Sequence, residues 1–205
     1  MKVLAILLLV VVVSATAPFI DSWGLIKDAK CINDNTKSIS LLVYLPTGKV
    51  SENFTKNAEL LKPYRPALEV GGFIMPCVKC EIVKQVADIV DALKKANIVL
   101  ASIAIFGREW SNDKAKNIDF IKKFVAEYTK SGIHFAFLTS EEEWARVVGL
   151  AFTEMSKFPL WWVRHDKDPE AKNFKPFAGW TKPLAKQYDS GEVCGMRVGK
   201  DSQYM

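Results

Sequence analysis

The 205-residue sequence has few of the residues that hold metals, cofactors or nucleic acids. Its two histidines, His134 and His165, are far apart in the chain, so a zinc site with two ligand pairs is not indicated. No glycine-rich, phosphate-binding loop follows a predicted strand, which argues against a nucleotide-binding sheet. The net charge of +5 comes from lysines that alternate with Asp and Glu, so the sequence contains no concentrated basic patch. We therefore expect no cofactor, no metal and no nucleic-acid partner.

Long apolar runs are also missing, except for one at the start of the chain. Lys2 is followed by an apolar run over residues 4–13 and by Ala15-Thr16-Ala17. This order is typical of a secretory signal peptide, and the run is too short to span a bilayer comfortably. The sequence predicts a signal peptide over 1–17 and a single domain over 18–205. We expect a secreted protein, or one in the lumen of the secretory or lysosomal route, with no membrane contact after cleavage; an uncleaved anchor is the alternative.

Four cysteines remain after the predicted cleavage, namely Cys31, Cys77, Cys80 and Cys194. An even number in an oxidising compartment predicts two disulfides, and three pairings are possible. Cys77 and Cys80 form a C-x-x-C motif between a predicted strand and a predicted helix, an arrangement that redox enzymes also use. However, Pro76 precedes the motif and no tryptophan does. We expect structural disulfides, with a secreted thiol–disulfide protein using Cys77 and Cys80 as an alternative.

Patterns for strands and helices alternate along the chain. Continuous apolar runs predict strands over residues 38–45, 70–75, 98–106, 133–138 and 158–163. Apolar residues at three- and four-residue intervals predict helices over residues 52–62, 79–97 and 113–130, and a further helix after residue 140. Strands that are apolar throughout are typical of a parallel sheet covered by helices, as a barrel or a doubly wound sheet. In both architectures, functional residues lie at the C-terminal ends of the strands.

Three segments of the C-terminal third are informative together, namely "FPLWWVRHDKDPE", "FKPFAGWTKPLAKQYD" and "VCGMRVGKDSQY". They resemble the closing strands of the glycoside hydrolase family 25 lysozymes, and most of all the lysozyme-like branch found in nematodes. Earlier segments resemble the preceding strands in the family order, so the resemblance covers residues 38–204. It implies an α/β fold, specifically an irregular (β/α) barrel of the family 25 lysozyme type, shortened at the N-terminus. It also implies bacterial cell-wall peptidoglycan, or a related polysaccharide, as the partner.

The resemblance also locates the positions of the catalytic carboxylates. Family 25 enzymes have an Asp at the end of the first strand, a D-x-E motif at the end of the fourth strand and an Asp near the eighth. The D-x-E motif corresponds to residues 104–106 here, and Phe106 cannot supply the proton that glycoside hydrolysis requires. Asp21 and Asp201 are the catalytic candidates for the other two positions. Glu109, in the loop after Phe106, is a third catalytic candidate.

Aromatic residues and one modification motif complete the candidate set. Tyr44, Trp110, Trp162 and Tyr188 are candidates for stacking on sugar rings, with ordinary core packing as the alternative for each. Asn53 begins an N-x-T motif and is the candidate glycosylation site.

These observations predict a secreted, lysozyme-like protein of innate defence whose catalytic carboxylates are largely replaced. Such a pseudoenzyme retains glycan binding and has weak or no glycosidase activity. The first alternative is an active lysozyme that hydrolyses peptidoglycan through Asp201 with Asp21 or Glu109. The second is the thiol–disulfide protein described above.

Overall fold

A computed structural model describes residues 17–204, so the predicted signal peptide lies outside the described residues except for its last position. Between these limits the chain forms nine β-strands and five α-helices. In chain order they are β1 (Ala17–Ser22), α1 (Ala29–Asn35), β2 (Ser38–Leu45), β3 (Lys49–Val50), α2 (Glu52–Leu61), β4 (Glu69–Ile74), α3 (Ile82–Lys95), β5 (Leu100–Ala104), α4 (Lys114–Thr129), β6 (His134–Thr139), α5 (Glu141–Val147), β7 (Leu160–Val163), β8 (Ala185–Val193) and β9 (Met196–Gln203). Two 3₁₀ helices, Lys62–Tyr64 and Glu154–Lys157, lie between these elements.

Eight of the strands form a closed barrel. Strands β1, β2, β4, β5, β6, β7 and β8 pair in parallel, in that order. Strand β9 lies antiparallel between β8 and β1 and closes the ring, while β3 forms a short hairpin with β2 outside it. Because β1 pairs with strands on both sides, the sheet has no open edge there. The predicted irregular (β/α) barrel is confirmed, and the doubly wound sheet is excluded.

Helices α3 and α4 cover the outside of the barrel, and both begin at a carboxylate cap. Glu81 accepts hydrogen bonds from the backbone N–H groups of Val83 and Lys84 at the start of α3. Asp113 does the same for two N–H groups at the start of α4. These caps satisfy N–H groups that have no partner within the helix, which explains why both helices begin one to three residues later than their apolar pattern predicts.

The strands place alternate side chains under the helices and inside the barrel, as strand geometry requires. The side chains under the helices form the main core, which includes Ile39, Leu41, Ile103 and Phe137. The side chains inside the barrel form a second, smaller cluster. Its buried members are Phe19, Ala104, Leu138, Trp161 and Ala185, and Met75, Phe106 and Val163 pack against it.

Both predicted disulfides are formed, and the structure selects one of the three possible pairings. Cys31 of α1 bonds Cys194 in the turn between β8 and β9, with the Cα atoms 5.9 Å apart. Cys77 bonds Cys80 in the loop that follows β4, with the Cα atoms 5.3 Å apart. The first bond links distant parts of the chain, whereas the second closes only a short loop.

No helix within residues 17–204 is both long enough and apolar enough to cross a bilayer.

Candidate functional site

Asp21 lies near the C-terminal end of β1, where the parallel strands of the barrel end together. The side chain is 2 % exposed. Its Oδ1 atom accepts the backbone N–H of Gly199 at 2.8 Å, and its Oδ2 atom accepts the Nε2–H of Gln187 at 2.6 Å. Gly199 is required for this contact, because a Cβ atom at that position would collide with Asp21 Oδ1.

Gln187 connects Asp21 to His165 in the loop after β7. The Oε1 atom of Gln187 lies 2.9 Å from His165 Nε2. Because the amide nitrogen of Gln187 donates to Asp21, its oxygen accepts, and His165 Nε2 therefore carries a proton. The hydrogen bonds form a chain from exposed His165, through Gln187, to buried Asp21.

Asp201 lies one step deeper in the barrel, on β9 directly opposite Phe19 of β1. Its side chain is 1 % exposed, and its Oδ1 atom accepts the indole N–H of Trp161 at 2.9 Å. The Oδ2 atom is buried and has no hydrogen-bond partner among residues 17–204. The Trp161 ring contacts the Phe19 ring edge to face, with the ring centres 5.0 Å apart. Together these two aromatic rings separate Asp201 from the N-terminal end of the barrel.

Burial raises the pKa of both aspartates. Desolvation raises the pKa of Asp21 from 3.8 to about 6, against the opposing effects of the Gly199 hydrogen bond and the nearby His165. Desolvation, and then the negative charge of Asp21, raises the pKa of Asp201 well above 3.8. Asp201 receives only one hydrogen bond, so it is the member of the pair that holds a proton more strongly.

The end of β5, where the sequence resemblance predicts the acidic motif, is apolar in this chain. Ala104 is buried inside the barrel, and half-buried Phe106 packs against the same interior cluster. Ile105 points the other way, into the main core. Glu109 is fully exposed in the following loop. The structure therefore brings Asp21 and Asp201 together inside the barrel and leaves Glu109 outside.

Three of the four predicted sugar-stacking residues lie in the main core. Tyr44, Trp110 and Trp162 are buried among other core side chains. Trp110 donates its indole N–H to the carbonyl of Phe106 at 3.2 Å, which holds the loop after β5 rather than a ligand. Because their rings are covered by protein, these three side chains cannot stack on a glycan. Of the four candidates, only Tyr188 is half-buried.

Asn53, the candidate glycosylation site, lies in the first turn of α2 and is half-buried. Its side-chain amide donates to the backbone carbonyl of Trp23 at 3.3 Å. Its glycosylation remains a prediction.

A buried lysine, which the sequence pattern did not single out, holds the long loop between β7 and β8. Lys186 is 0 % exposed, and its ammonium group donates to both carboxylate oxygens of Asp166 at 2.8 and 3.0 Å. It also donates to the backbone carbonyls of Asp168 and Glu170, and it lies 4.9 Å above the Trp162 ring. The loop thus wraps oxygen atoms around one positive charge, next to His165.

Asp166 is ionised because of this arrangement. Its partial burial tends to raise its pKa, but the hydrogen bonds from Lys186 and Asn173 lower the pKa to about 2. Lys186 lies in a strand with several other polar residues, so the sequence gives little indication that this lysine is buried. Only the fold shows that the loop returns to Lys186.

A polar depression of about 450 Å³ opens at the ends of β6 and β7. It lies beside His165, the exposed end of the hydrogen-bond chain that runs through Gln187 to Asp21. Its lining residues are Ser140, Glu142, Val163, Arg164, His165 and Asp166. Donors and acceptors of both charges at a strand-end mouth suit a ligand rich in hydroxyl and amide groups. Within residues 17–204, no group of three or more His, Cys, Asp or Glu side chains is placed to hold a metal ion.

Comparison with known proteins agrees with this fold. The family model described as Lysozyme-like protein 1 matches residues 20–188. Lysozyme-like protein 5 of Caenorhabditis elegans is 29% identical over 170 residues, which are 80% of this chain and 78% of that protein. Probable GH family 25 lysozyme 2 of Dictyostelium discoideum is 33% identical over 128 residues, 60% of each protein.

Among solved structures, the bacterial lysozyme from Streptomyces coelicolor superposes with a TM-score of 0.72 at 14% identity. The superposition covers 94% of both chains. At this level of identity, the likeness shows that the two proteins share a fold.

Proposed function

This chain belongs to the family described as Lysozyme-like protein 1, and from that membership we propose that it binds bacterial cell-wall peptidoglycan with little or no hydrolysis of it. The fold is that of the family 25 lysozymes. Family membership and fold do not distinguish binding from catalysis, and we assign this chain to binding.

The proposal depends on which residues occupy the C-terminal ends of the barrel strands. Glycoside hydrolysis requires a carboxylic acid that reaches the glycosidic oxygen and a second group that stabilises the developing cation. Ala104 and Phe106 provide neither at the end of β5. Asp21 and Asp201 are carboxylates, but both are almost completely buried, and Asp201 lies one step deeper in the barrel than Asp21. Losing a general acid usually lowers the rate by roughly 10²- to 10⁴-fold, whereas it removes little of the binding surface.

The polar depression beside His165 is the surface that we assign to glycan binding. Glu142, Arg164 and His165 are exposed in it. Lys186 holds in one conformation the loop that carries Arg164, His165 and Asp166. A fixed loop loses less conformational entropy when a ligand binds. The raised pKa values of Asp21 and Asp201 favour the alternative of an active lysozyme, because a protonated carboxyl group is a potential acid. Their burial argues against that alternative.

Secretion and a role in defence are also part of the proposal. The signal-peptide pattern over residues 1–17 supports export, and two disulfides fit an oxidising compartment. A secreted protein that binds bacterial walls fits a function in recognising bacteria. The thiol–disulfide alternative requires an accessible, reactive cysteine, whereas Cys77 is buried and Cys80 is half-buried.

Co-sedimentation of the secreted protein with insoluble peptidoglycan tests the binding surface. We expect His165→Ala to weaken sedimentation by about three- to tenfold, the range for one lost hydrogen bond in the depression. His134→Ala is the matched control, because His134 is exposed at the opposite end of the barrel. Equal sedimentation of both variants and the wild type would place the binding surface elsewhere. Failure of the wild type to sediment would remove the glycan-binding proposal itself.

A further inference from the structure

A second cavity lies at the N-terminal end of the barrel, opposite the candidate functional site. It has a volume of about 430 Å³, within the usual range for small-molecule pockets. Phe19 and Trp161 line its inner part, and Val70, Val99, Leu100 and Leu184 line other parts of its wall. The cavity and the Asp21–Asp201 pair are therefore separated by the Phe19–Trp161 contact.

Small side chains inside the barrel create this cavity. Ser40, Gly71, Ser102, Ala136 and Ala185 all line it, each on a different strand. In (β/α) barrels these interior positions are usually filled by bulky branched residues, so the barrel is packed rather than hollow. Here the small side chains next to Phe19 and Trp161 leave this part of the barrel interior unfilled.

The cavity wall contains two hydroxyl groups without partners. The Oγ atoms of Ser40 and Ser102 are buried and form no hydrogen bond with any residue in the range 17–204. A buried polar group without a partner is costly, so most such groups in folded proteins are paired with protein or with a bound molecule. A ligand that brings an oxygen atom to this part of the cavity would provide the missing partner.

The rest of the lining determines the charge and polarity of such a ligand. Val99 is 68 % exposed and Leu100 is 46 % exposed, so apolar surface faces solvent at the cavity. The charged residues among the lining are Arg65 and Glu69. The Arg65 guanidinium already donates to backbone carbonyls, including those of Ala96 and Asn97, so it is not free to bind an anion.

We propose that this cavity binds an uncharged, largely apolar small molecule that carries one hydroxyl or carbonyl group. The apolar part of the molecule covers Val70, Leu100 and Leu184, and its oxygen pairs with the hydroxyl group of Ser40 or of Ser102. The site is independent of glycan binding, which takes place at the other end of the barrel.

Titration calorimetry of the secreted protein tests the proposal with two soluble probes, phenethyl alcohol and ethylbenzene. We expect saturable binding of phenethyl alcohol to the wild type. The double substitution Ser40→Ala and Ser102→Ala lowers that affinity by about three- to tenfold, the range for one hydrogen bond, and does not weaken the binding of ethylbenzene. Absence of saturable binding of phenethyl alcohol, or a double variant that binds it as tightly as the wild type does, would overturn the proposal.

A cavity-filling variant serves as the second test. A Cβ atom at Gly71 meets only ordinary contacts, 3.5 Å from the carbonyl oxygen of Leu100 and 3.8 Å from Ser40 Oγ. The Cβ position is therefore open, and Gly71→Leu adds a side chain at the wall of the cavity. We expect it to abolish binding of both probes while leaving sedimentation with peptidoglycan unchanged. Gly71→Ala is the smaller variant if the leucine variant does not fold, and it weakens binding in the same direction. Probe binding that survives cavity filling lies elsewhere and contradicts this site.

Discussion

Asp21 and Asp201 are on neighbouring strands, but they receive different hydrogen bonds. Asp21 receives hydrogen bonds from a backbone N–H and from an amide side chain, whereas Asp201 receives one from an indole. Each hydrogen bond to a carboxylate stabilises its ionised form, so Asp201 keeps its proton at a higher pH than Asp21.

The raised pKa values predict how stability depends on pH. The folded protein holds these protons at pH values at which the unfolded chain has released them. The contribution of Asp21 to stability is therefore complete below about pH 4 and is lost as the pH rises through about 6. The contribution of Asp201 is lost in the same direction, because its pKa is also raised. Asp201→Asn removes one titratable group, and the side-chain oxygen of the asparagine can still accept the indole N–H of Trp161. We expect its melting temperature, relative to the wild type, to increase by about 5 °C between pH 5 and pH 8.

The matched control for this measurement is Asp91→Asn, on the exposed face of α3. We expect it to shift the melting temperature by less than about 2 °C at both pH values, as is usual for surface substitutions. A difference between Asp201→Asn and the wild type that does not change with pH would mean that Asp201 is ionised in the folded protein.

At the level of single residues, the sequence singled out two aspartates that the structure brings together inside the barrel. The family order placed Phe106 where an acid is expected, and it selected Asp21 and Asp201 as the matching aspartates. The sequence did not distinguish aromatic residues of the core from aromatic residues that contact a ligand. Strand and helix patterns do not show whether a ring is covered by other parts of the protein. Nor did the sequence identify Gln187 and His165, whose roles depend on a contact across 22 residues of sequence.

At the level of elements, the loop between β7 and β8 depends on Lys186 for its conformation. We expect Lys186→Met to remove four polar contacts and leave Asp166 without its main partner, at a cost of about 3–5 kcal/mol. The loop should then become more sensitive to proteolysis and exchange its backbone N–H groups faster. Lys172→Met is the control, because Lys172 forms an exposed ion pair with Glu170 in the same loop.

If Lys186→Met leaves both the melting temperature and the proteolysis of the loop at wild-type levels, the loop is held by other contacts. Equal effects of Lys186→Met and Lys172→Met would lead to the same conclusion.

The positions of most elements were predictable because their apolar patterns are strong. Strand β2 has the predicted bounds, and the other predicted strands and helices overlap the observed ones. Helix α1 was missed, because only Ile32 of its seven residues is buried and the apolar pattern is correspondingly weak. The closure of the barrel was also not encoded in any one segment, since it depends on β9 pairing with both β8 and β1.

At the scale of the whole molecule, the two disulfides differ in how much of the chain they constrain. Cys31 and Cys194 are 163 positions apart, whereas Cys77 and Cys80 are 3 positions apart. Loop-closure entropy predicts a stabilisation of about 5 kcal/mol for the long loop and about 2 kcal/mol for the short one. Replacing Cys31 and Cys194 with alanine should therefore lower the melting temperature by about 10 °C or more.

The matched double variant replaces Cys77 and Cys80 with alanine. Its melting temperature should fall by about 5 °C or less. Differential scanning calorimetry of both variants compares these losses directly. A larger loss from the Cys77–Cys80 pair would show that this short loop contributes to stability by means other than chain entropy.

The most direct test is the release of reducing sugar ends from purified, insoluble peptidoglycan. We expect the wild type to release no more than the Asp201→Asn variant does, although the wild type sediments with the same material. Phe106→Glu, which restores a carboxyl group at the end of β5, should increase release by at least about tenfold, and Phe106→Gln should not. Rapid release by the wild type that Asp201→Asn abolishes would contradict the account, because a buried aspartate would then be acting as the acid.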